Sequence, residues 1–192
     1  MIVIVNAVRT AMGGFQGSLS GCSAPDLGAV AIQEVVARAG LKPTDIDEVI
    51  FGCVLPAGLK QGPARQAMRQ AGLPDSTGAT TINKICGSGM KAVMQAADAI
   101  KAASAQIVVA GGMESMSNSP YLLEKARTGY RMGHGRIIDH MFQEGLEDAE
   151  TGLSMGILAQ DMADQKGYTR KQQDAFAIHS LNKAVTAIQN GY

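Results

Sequence analysis

Short β-branched runs alternate with helical stretches over residues 1–116, and that order predicts an α/β domain with a mainly parallel sheet between helices. Three observations carry this. Ile2–Val8, Val49–Leu55, Ala79–Asn83 and Ile107–Ala110 read as strands. Helical spacing fills the gaps between the later strands. Gly and Pro punctuate nearly every junction.

Ile2–Val8 is nearly continuous and β-branched, as expected of a buried first strand, and a Gly-rich turn follows at Met12–Gly17. Ser23 is placed to cap a helix, with Pro25 and Asp26 suited to its first turn and Gly40 to its end. Leu27, Val30, Ala31, Val35 and Ala39 are its expected apolar positions. Pro63–Ala71 predicts a short helix stopped by Gly72 and Pro74. From Gly87 to Ala103 the pattern is helical again, with Met90, Val93, Met94, Ala97 and Ile100 as one stripe. After about Ser115 the texture changes. Residues 117–150 form an irregular, Gly-, Met-, Arg- and Asp-rich excursion, and helices return at Gly152–Gln165 and Lys171–Gln189. Thr169 and Gln172 form a capping box for the last helix. The expected division is 1–116 and 117–192.

Bulk composition bounds the function. The 192 residues are 46% hydrophobic and 18% charged, which fits a chain with a buried core and excludes disorder. Seventeen basic residues balance seventeen acidic ones, so nothing points to nucleic acid or an anionic membrane. No apolar run approaches the ~18 residues a membrane span needs. Cys22, Cys53 and Cys86 are widely spaced and form no C-x-x-C pair, so no metal site is expected. The apolar N-terminus lacks a basic leader, and a reducing, cytoplasmic setting is the expectation.

The chemistry concentrates in Ile82-Asn83-Lys84-Ile85-Cys86-Gly87-Ser88-Gly89-Met90-Lys91-Ala92-Val93. Cys86 falls between a short strand and a long helix, the arrangement of a nucleophile elbow. Unpaired N–H groups at a helix N-terminus favour a thiolate. Gly87 and Gly89 leave room for a substrate, and the Cys86 N–H is placed to donate to an oxyanion. A free Cys is often simply a small buried hydrophobe, the reading given to Cys22 and Cys53.

The run Asn83–Val93 resembles the acyl-cysteine motif of the thiolases. Val3–Thr10, continuing to Gly13, Phe15, Gly17 and Leu19, is similar to that family's opening. Val109-Ala110-Gly111-Gly112-Met113-Glu114-Ser115-Met116-Ser117 resembles its second hallmark. Glu144–Ala149 with Met155-Gly156 is similar to its substrate loop. These four motifs span essentially the whole chain, in order.

The resemblance implies an N-terminal thiolase half with a mixed, mainly parallel sheet, plus part of an inserted loop domain. It implies acyl transfer between acyl-CoA and CoA through an acyl-cysteine at Cys86, with no bound cofactor. Leu146, Ser154 and Met155 would contact substrate. Ser154 stands where many relatives have a His, and Ala11 replaces a usual Pro. Thiolases assemble as homodimers or homotetramers and are about twice this length. Their activating His, in a Gly-His-Pro context, and a second catalytic Cys lie in the C-terminal half. Neither motif occurs here, so this chain alone is expected to be inactive.

His134 and His140 are expected at solvent or at a subunit interface, and His179 on a helix surface. Lys125, Arg127, Arg131 and Arg136 read as a solvated basic loop or a CoA-steering cluster. A ketoacyl synthase-like condensing enzyme, or a non-catalytic CoA- or subunit-binding fragment, are the alternative readings.

Overall fold

The computed structural model describes residues 1–191. They form two compact units, Met1–Gly145 and the described residues from Leu146 onward.

The first unit is built on a three-stranded parallel sheet in the order β2-β1-β3, with β1 Glu48–Gly52, β2 Gly78–Ile82 and β3 Val108–Gly112. Each crossover from strand to strand carries a helix. α2 Pro63–Gln70 lies between β1 and β2, and α3 Ser88–Lys101 between β2 and β3, while α1 Ala24–Arg38 precedes the sheet. The register aligns Gly52 with Ile82 on one side and with Gly112 on the other. All three strands therefore end together, at the edge where open parallel sheets present their functional loops.

α1 begins where the sequence signals it. Ser23 Oγ accepts from the Asp26 N–H, and Asp26 returns the bond to the Ser23 N–H in a capping box. Its buried side is Ala24, Pro25, Gly28, Ala29, Ile32 and Val36, not the expected stripe: Val30 is exposed, and Leu27, Ala31 and Val35 are half-buried. Close approach decides this. A Cβ on Gly28 would sit 2.6 Å from the Met113 sulfur and 3.2 Å from the Ala67 Cβ. α1 thus meets α2 and the sheet through small residues, with Ile32 and Val36 filling the space beside them.

The same physics corrects α3. The buried residues are Ser88, Ala92 and Ala96; of the expected stripe Met90, Val93 and Met94 are exposed, and Ala97 and Ile100 are half-buried.

The expected first strand does not form. Ile2–Val8 pairs with no strand among the described residues, and Val3, Ile4 and Val5 are exposed. β-branched residues supply strand propensity, but a strand also needs a hydrogen-bonded neighbour. The following turn is anchored instead: the Gln16 N–H donates to Ser117 Oγ at 2.9 Å, and Gln16 Nε2 to the Ser117 carbonyl at 3.1 Å.

The excursion after Met116 is mostly irregular, as expected, with a two-residue antiparallel pair, β4 Tyr121–Leu122 and β5 Ile138–Asp139, and a π-helical turn at Phe142–Leu146. Lys125, Arg127, Arg131 and Arg136 are exposed along it. His140 departs from expectation. It is only 2% exposed, and its backbone N–H donates to the Pro120 carbonyl beside the β4–β5 pair.

The second unit contains α4 Met155–Gln165 and α5 Arg170–Gln189. Thr169 caps α5, with the expected Thr169–Gln172 box present. No residue of either helix is buried, and Phe176, Ile178, Leu181, Val185 and Ile188 are exposed along α5. Among the described residues no helix is long and apolar enough to cross a membrane.

Candidate active site

The loop joining β2 to α3 turns sharply through residues 83–88, and two side chains, Asn83 and Ser88, set its shape. Ile85 takes a left-handed backbone with φ +49°, rare for a β-branched residue and costing on the order of 1–3 kcal/mol. It is held there from both sides. Asn83 Oδ1 accepts from the Ile85 N–H at 2.9 Å, and Ser88 Oγ donates to the Ile85 carbonyl at 2.6 Å. Ser88 Oγ also accepts from the Lys84 N–H at 2.8 Å. Backbone bonds from Gly87 to Lys84 and from Ser88 to Ile85 complete the turn.

Cys86 follows the strained residue and is exposed. Gly87 is the N-cap of α3, so Cys86 lies one residue before the N-cap, on the loop that leaves the end of β2. This is the strand–turn–helix geometry that projects a nucleophile, with partial positive charge from the helix end beside it.

Glycines let the helix come this close. A Cβ on Gly52, the last residue of β1, would meet the Ser88 Cβ at 2.5 Å and the Gly89 nitrogen at 3.2 Å. Any side chain at 52 therefore displaces the first turn of α3. Gly111 is filled in turn by the Phe51 ring, which its Cβ would meet at 3.2 Å.

The other two cysteines differ in kind. Cys22 is half-buried in the loop before α1, and its carbonyl accepts from Ser115 Oγ and Asn118 Nδ2. Cys53 is buried, and its thiol donates to Glu114 Oε1 at 3.5 Å. Burial first, and then the Glu114 carboxylate, push this thiol up to about 12, so it stays protonated at neutral pH. Both fit the structural role expected of them.

Leu146, Ser154 and Met155 fall in the second unit, gathered by one short loop. Glu147 pairs antiparallel with Ser154, and the Asp148 N–H donates to the Leu153 carbonyl at 2.8 Å. Leu146 and Met155 flank that pair. Ser154 is the N-cap residue of α4, although its hydroxyl makes no capping bond. Asp148 anchors the loop through Thr151, whose hydroxyl and N–H both donate to it and hold its carboxyl below the usual range. Among the described residues no cluster of three metal-binding side chains occurs.

Sequence reasoning missed Ser88, Gly52 and Glu114. The Ser88 hydroxyl was visible only as part of a Gly-Ser-Gly run. Gly52 gave no local signal, since its role depends on a helix thirty-six residues later in the chain. Glu114, a carboxylate directly after an apolar strand, was the clearest available signal. Its side chain accepts from the Val54 N–H at 2.8 Å and the Leu55 N–H at 3.1 Å.

Known proteins resemble this chain along its length. Residues 2–192 match the thiolase N-terminal domain family. The chain is 51% identical over 190 residues to an acetyl-CoA acetyltransferase of Pseudomonas aeruginosa, covering 99% of this chain and 48% of that protein. It is 52% identical to the acetyl-CoA acetyltransferase of Escherichia coli, covering 98% of this chain and 48% of that protein. A probable acetyl-CoA acyltransferase of Staphylococcus aureus is 46% identical, with 99% and 48% covered. The chain thus spans about half the length of these relatives. With an exposed cysteine at a strained turn before a helix, and this likeness along its length, the chain belongs to the thiolase family and corresponds to its N-terminal domain.

Proposed function

We propose that the full-length protein carrying this sequence transfers acyl groups between CoA thioesters, with Cys86 as the acyl acceptor. The observation that carries this is the exposed Cys86 at the Ile85 turn, one residue before the N-cap of α3, in a chain of the thiolase family.

The step is a thioester exchange. The Cys86 sulfur attacks the carbonyl carbon of an acyl-CoA, the C–S bond to CoA breaks, and CoA departs with a proton. The developing oxyanion needs N–H donors close to Cys86. Splitting the transfer at a covalent acyl-cysteine divides one hard step into two easier ones. The carbanion of a second acetyl-CoA, formed by loss of a proton from its methyl group, then takes the acyl group as the C–S bond to Cys86 breaks and leaves the Cys86 thiolate, giving a 3-ketoacyl-CoA, or CoA runs the sequence backwards as thiolysis. Leu146, Ser154 and Met155 serve substrate contacts in this reading, with 1–116 as the N-terminal thiolase half and 117–192 as a loop-domain portion and the helices that follow it. The protein works in the cytoplasm as a homodimer or homotetramer. These 192 residues alone are inactive, because the groups that generate the carbanion in thiolases lie in the other half.

The test uses the full-length protein. Turnover with acetyl-CoA is expected, with Cys86→Ala reducing it to background. Retained turnover in Cys86→Ala contradicts the reading. Preference for an acyl-carrier-protein donor over acyl-CoA replaces it with a ketoacyl synthase.

A further inference from the structure

Outside the elbow itself, the most fully bonded side chain near it is Glu114. It leaves the end of β3 and reaches across to the chain just past β1. One carboxylate oxygen accepts from the Val54 N–H at 2.8 Å; the other accepts from the Leu55 N–H at 3.1 Å and the Cys53 thiol at 3.5 Å. Cys53 and Leu55 are buried and Val54 is half-buried, so the Cys53 thiol and the Leu55 amide have no water to turn to if the carboxylate is lost. Residues 52–55 are pinned further by the Cys53 N–H to the Ile82 carbonyl at 3.0 Å and the Met113 N–H to the Gly52 carbonyl at 2.9 Å.

This clamped segment touches the nucleophile's turn at two points. The Val54 carbonyl accepts from Asn83 Nδ2 at a long 3.4 Å, and the same Asn83 side chain, through Oδ1, holds the Ile85 N–H in its left-handed conformation. Gly52 lies directly beneath Ser88 and Gly89, leaving no space for a Cβ. Ser88 in turn bonds both Lys84 and Ile85. A strained turn persists only when its surroundings over-determine it.

We propose that Glu114 is a positioning residue for Cys86, fixing the 52–55 segment so that Asn83 and Ser88 keep the Ile85 turn and the sulfur in their reactive geometry. This rests on Cys86 being the acyl acceptor proposed above. Glu114 touches neither substrate nor Cys86 in this role. The negative charge matters because two N–H groups and a thiol all need an acceptor. Cys53 stays a donor because burial and the carboxylate keep it protonated. Glu114→Gln keeps the shape but replaces one acceptor oxygen with an NH2 group that faces a donor.

Amide hydrogen exchange of the full-length protein, read by mass spectrometry on peptides covering residues 83–90, tests the positioning directly. Glu114→Gln and Asn83→Ala are each expected to speed exchange of the Lys84, Ile85, Gly87 and Ser88 amides by about 10-fold. The double variant is expected to exchange no faster than the faster single one, because both act on one linkage. Val36→Ala, in the α1 core, serves as the control. It lowers thermal stability and speeds exchange in α1 while leaving 83–90 at wild-type rates. Acylation of Cys86 by acetyl-CoA, followed by intact mass, is expected to slow by about 10-fold or more in Glu114→Gln and to stay at the wild-type rate in folded Val36→Ala. Wild-type exchange at 83–90 in Glu114→Gln, or effects of Glu114→Gln and Asn83→Ala that multiply, overturns the proposal. Failure of the wild-type protein to acylate removes the reading of Cys86 and leaves the exchange result to decide the positioning alone.

Discussion

On one face of the β2-β1-β3 sheet, α1 and α2 bring Ile32, Val36 and Met68, with Leu73 from the turn after α2, into one core with Val49, Phe51 and Val109. On the other, α3 brings only Ala92 and Ala96 against Ile50. The first face adds these large side chains to the close contacts made at Gly28 and Ala67, and each large one is expected to contribute through the apolar area it removes from water. The second is made of small residues and close backbone approach, with Gly52 beneath Ser88 and Gly89. Bulk on one side gives stability. Thinness on the other lets the α3 N-terminus lie against the strand ends, where Cys86 stands. A substitution on the first face should therefore act on folding, and one on the second on the reactivity of Cys86.

The sharpest way to separate the two is Ile32→Ala. Ile32 is 0% exposed, so its truncation is expected to cost about 2–5 kcal/mol, read from denaturant or thermal unfolding of the full-length protein. Acylation of Cys86 per folded molecule is expected to be unchanged, and a loss of both would break the division between faces. Gly52→Ala is the opposite case. Its Cβ is forced against Ser88, with an expected stability loss of about 1–3 kcal/mol and an acylation rate about 10-fold lower or more. If it behaves like Ile32→Ala, the close approach is only packing.

The smallest effect lies on the first face, away from the sheet. Ser23→Ala removes the α1 cap and is expected to cost about 1 kcal/mol at neutral pH. The Ser23 hydroxyl, and then its N–H, hold the Asp26 carboxyl below the usual value. A carboxyl lowered on folding adds stability above its unfolded value of about 4, which is lost as the pH falls through its folded value. Wild-type unfolding should thus steepen in acid and Ser23→Ala should flatten that arm, with Cys86 acylation untouched.

The contrast between faces also explains which parts of the molecule the sequence disclosed. Caps are local chemistry, so Ser23 with Asp26 and Thr169 with Gln172 were readable from a few neighbouring letters. The β1, β2 and β3 runs were readable for the same reason, and so was the strand-turn-helix setting of Cys86, which is contiguous. Helix orientation was not. Periodicity put Met90, Val93 and Met94 inward, whereas contact with the sheet selects Ala92 and Ala96, because distance and not hydrophobicity limits that face. The Ile2–Val8 run has strand propensity but pairs with no strand among the described residues. His140 looked like a solvent-facing loop residue and is buried, with its Nδ1 3.4 Å from Glu144 Oε1. Glu114 and Gly52 act on residues some thirty to sixty positions away, which no local pattern records.

The account turns on Cys86 as the residue that takes the acyl group. Incubating the full-length protein with acetyl-CoA, then mapping the modified peptide by mass spectrometry, tests that most directly. The account predicts one acetyl group, carried on Cys86 and lost when free CoA is added. An acetyl group on any other residue, or none while the protein still turns over acyl-CoA, contradicts it.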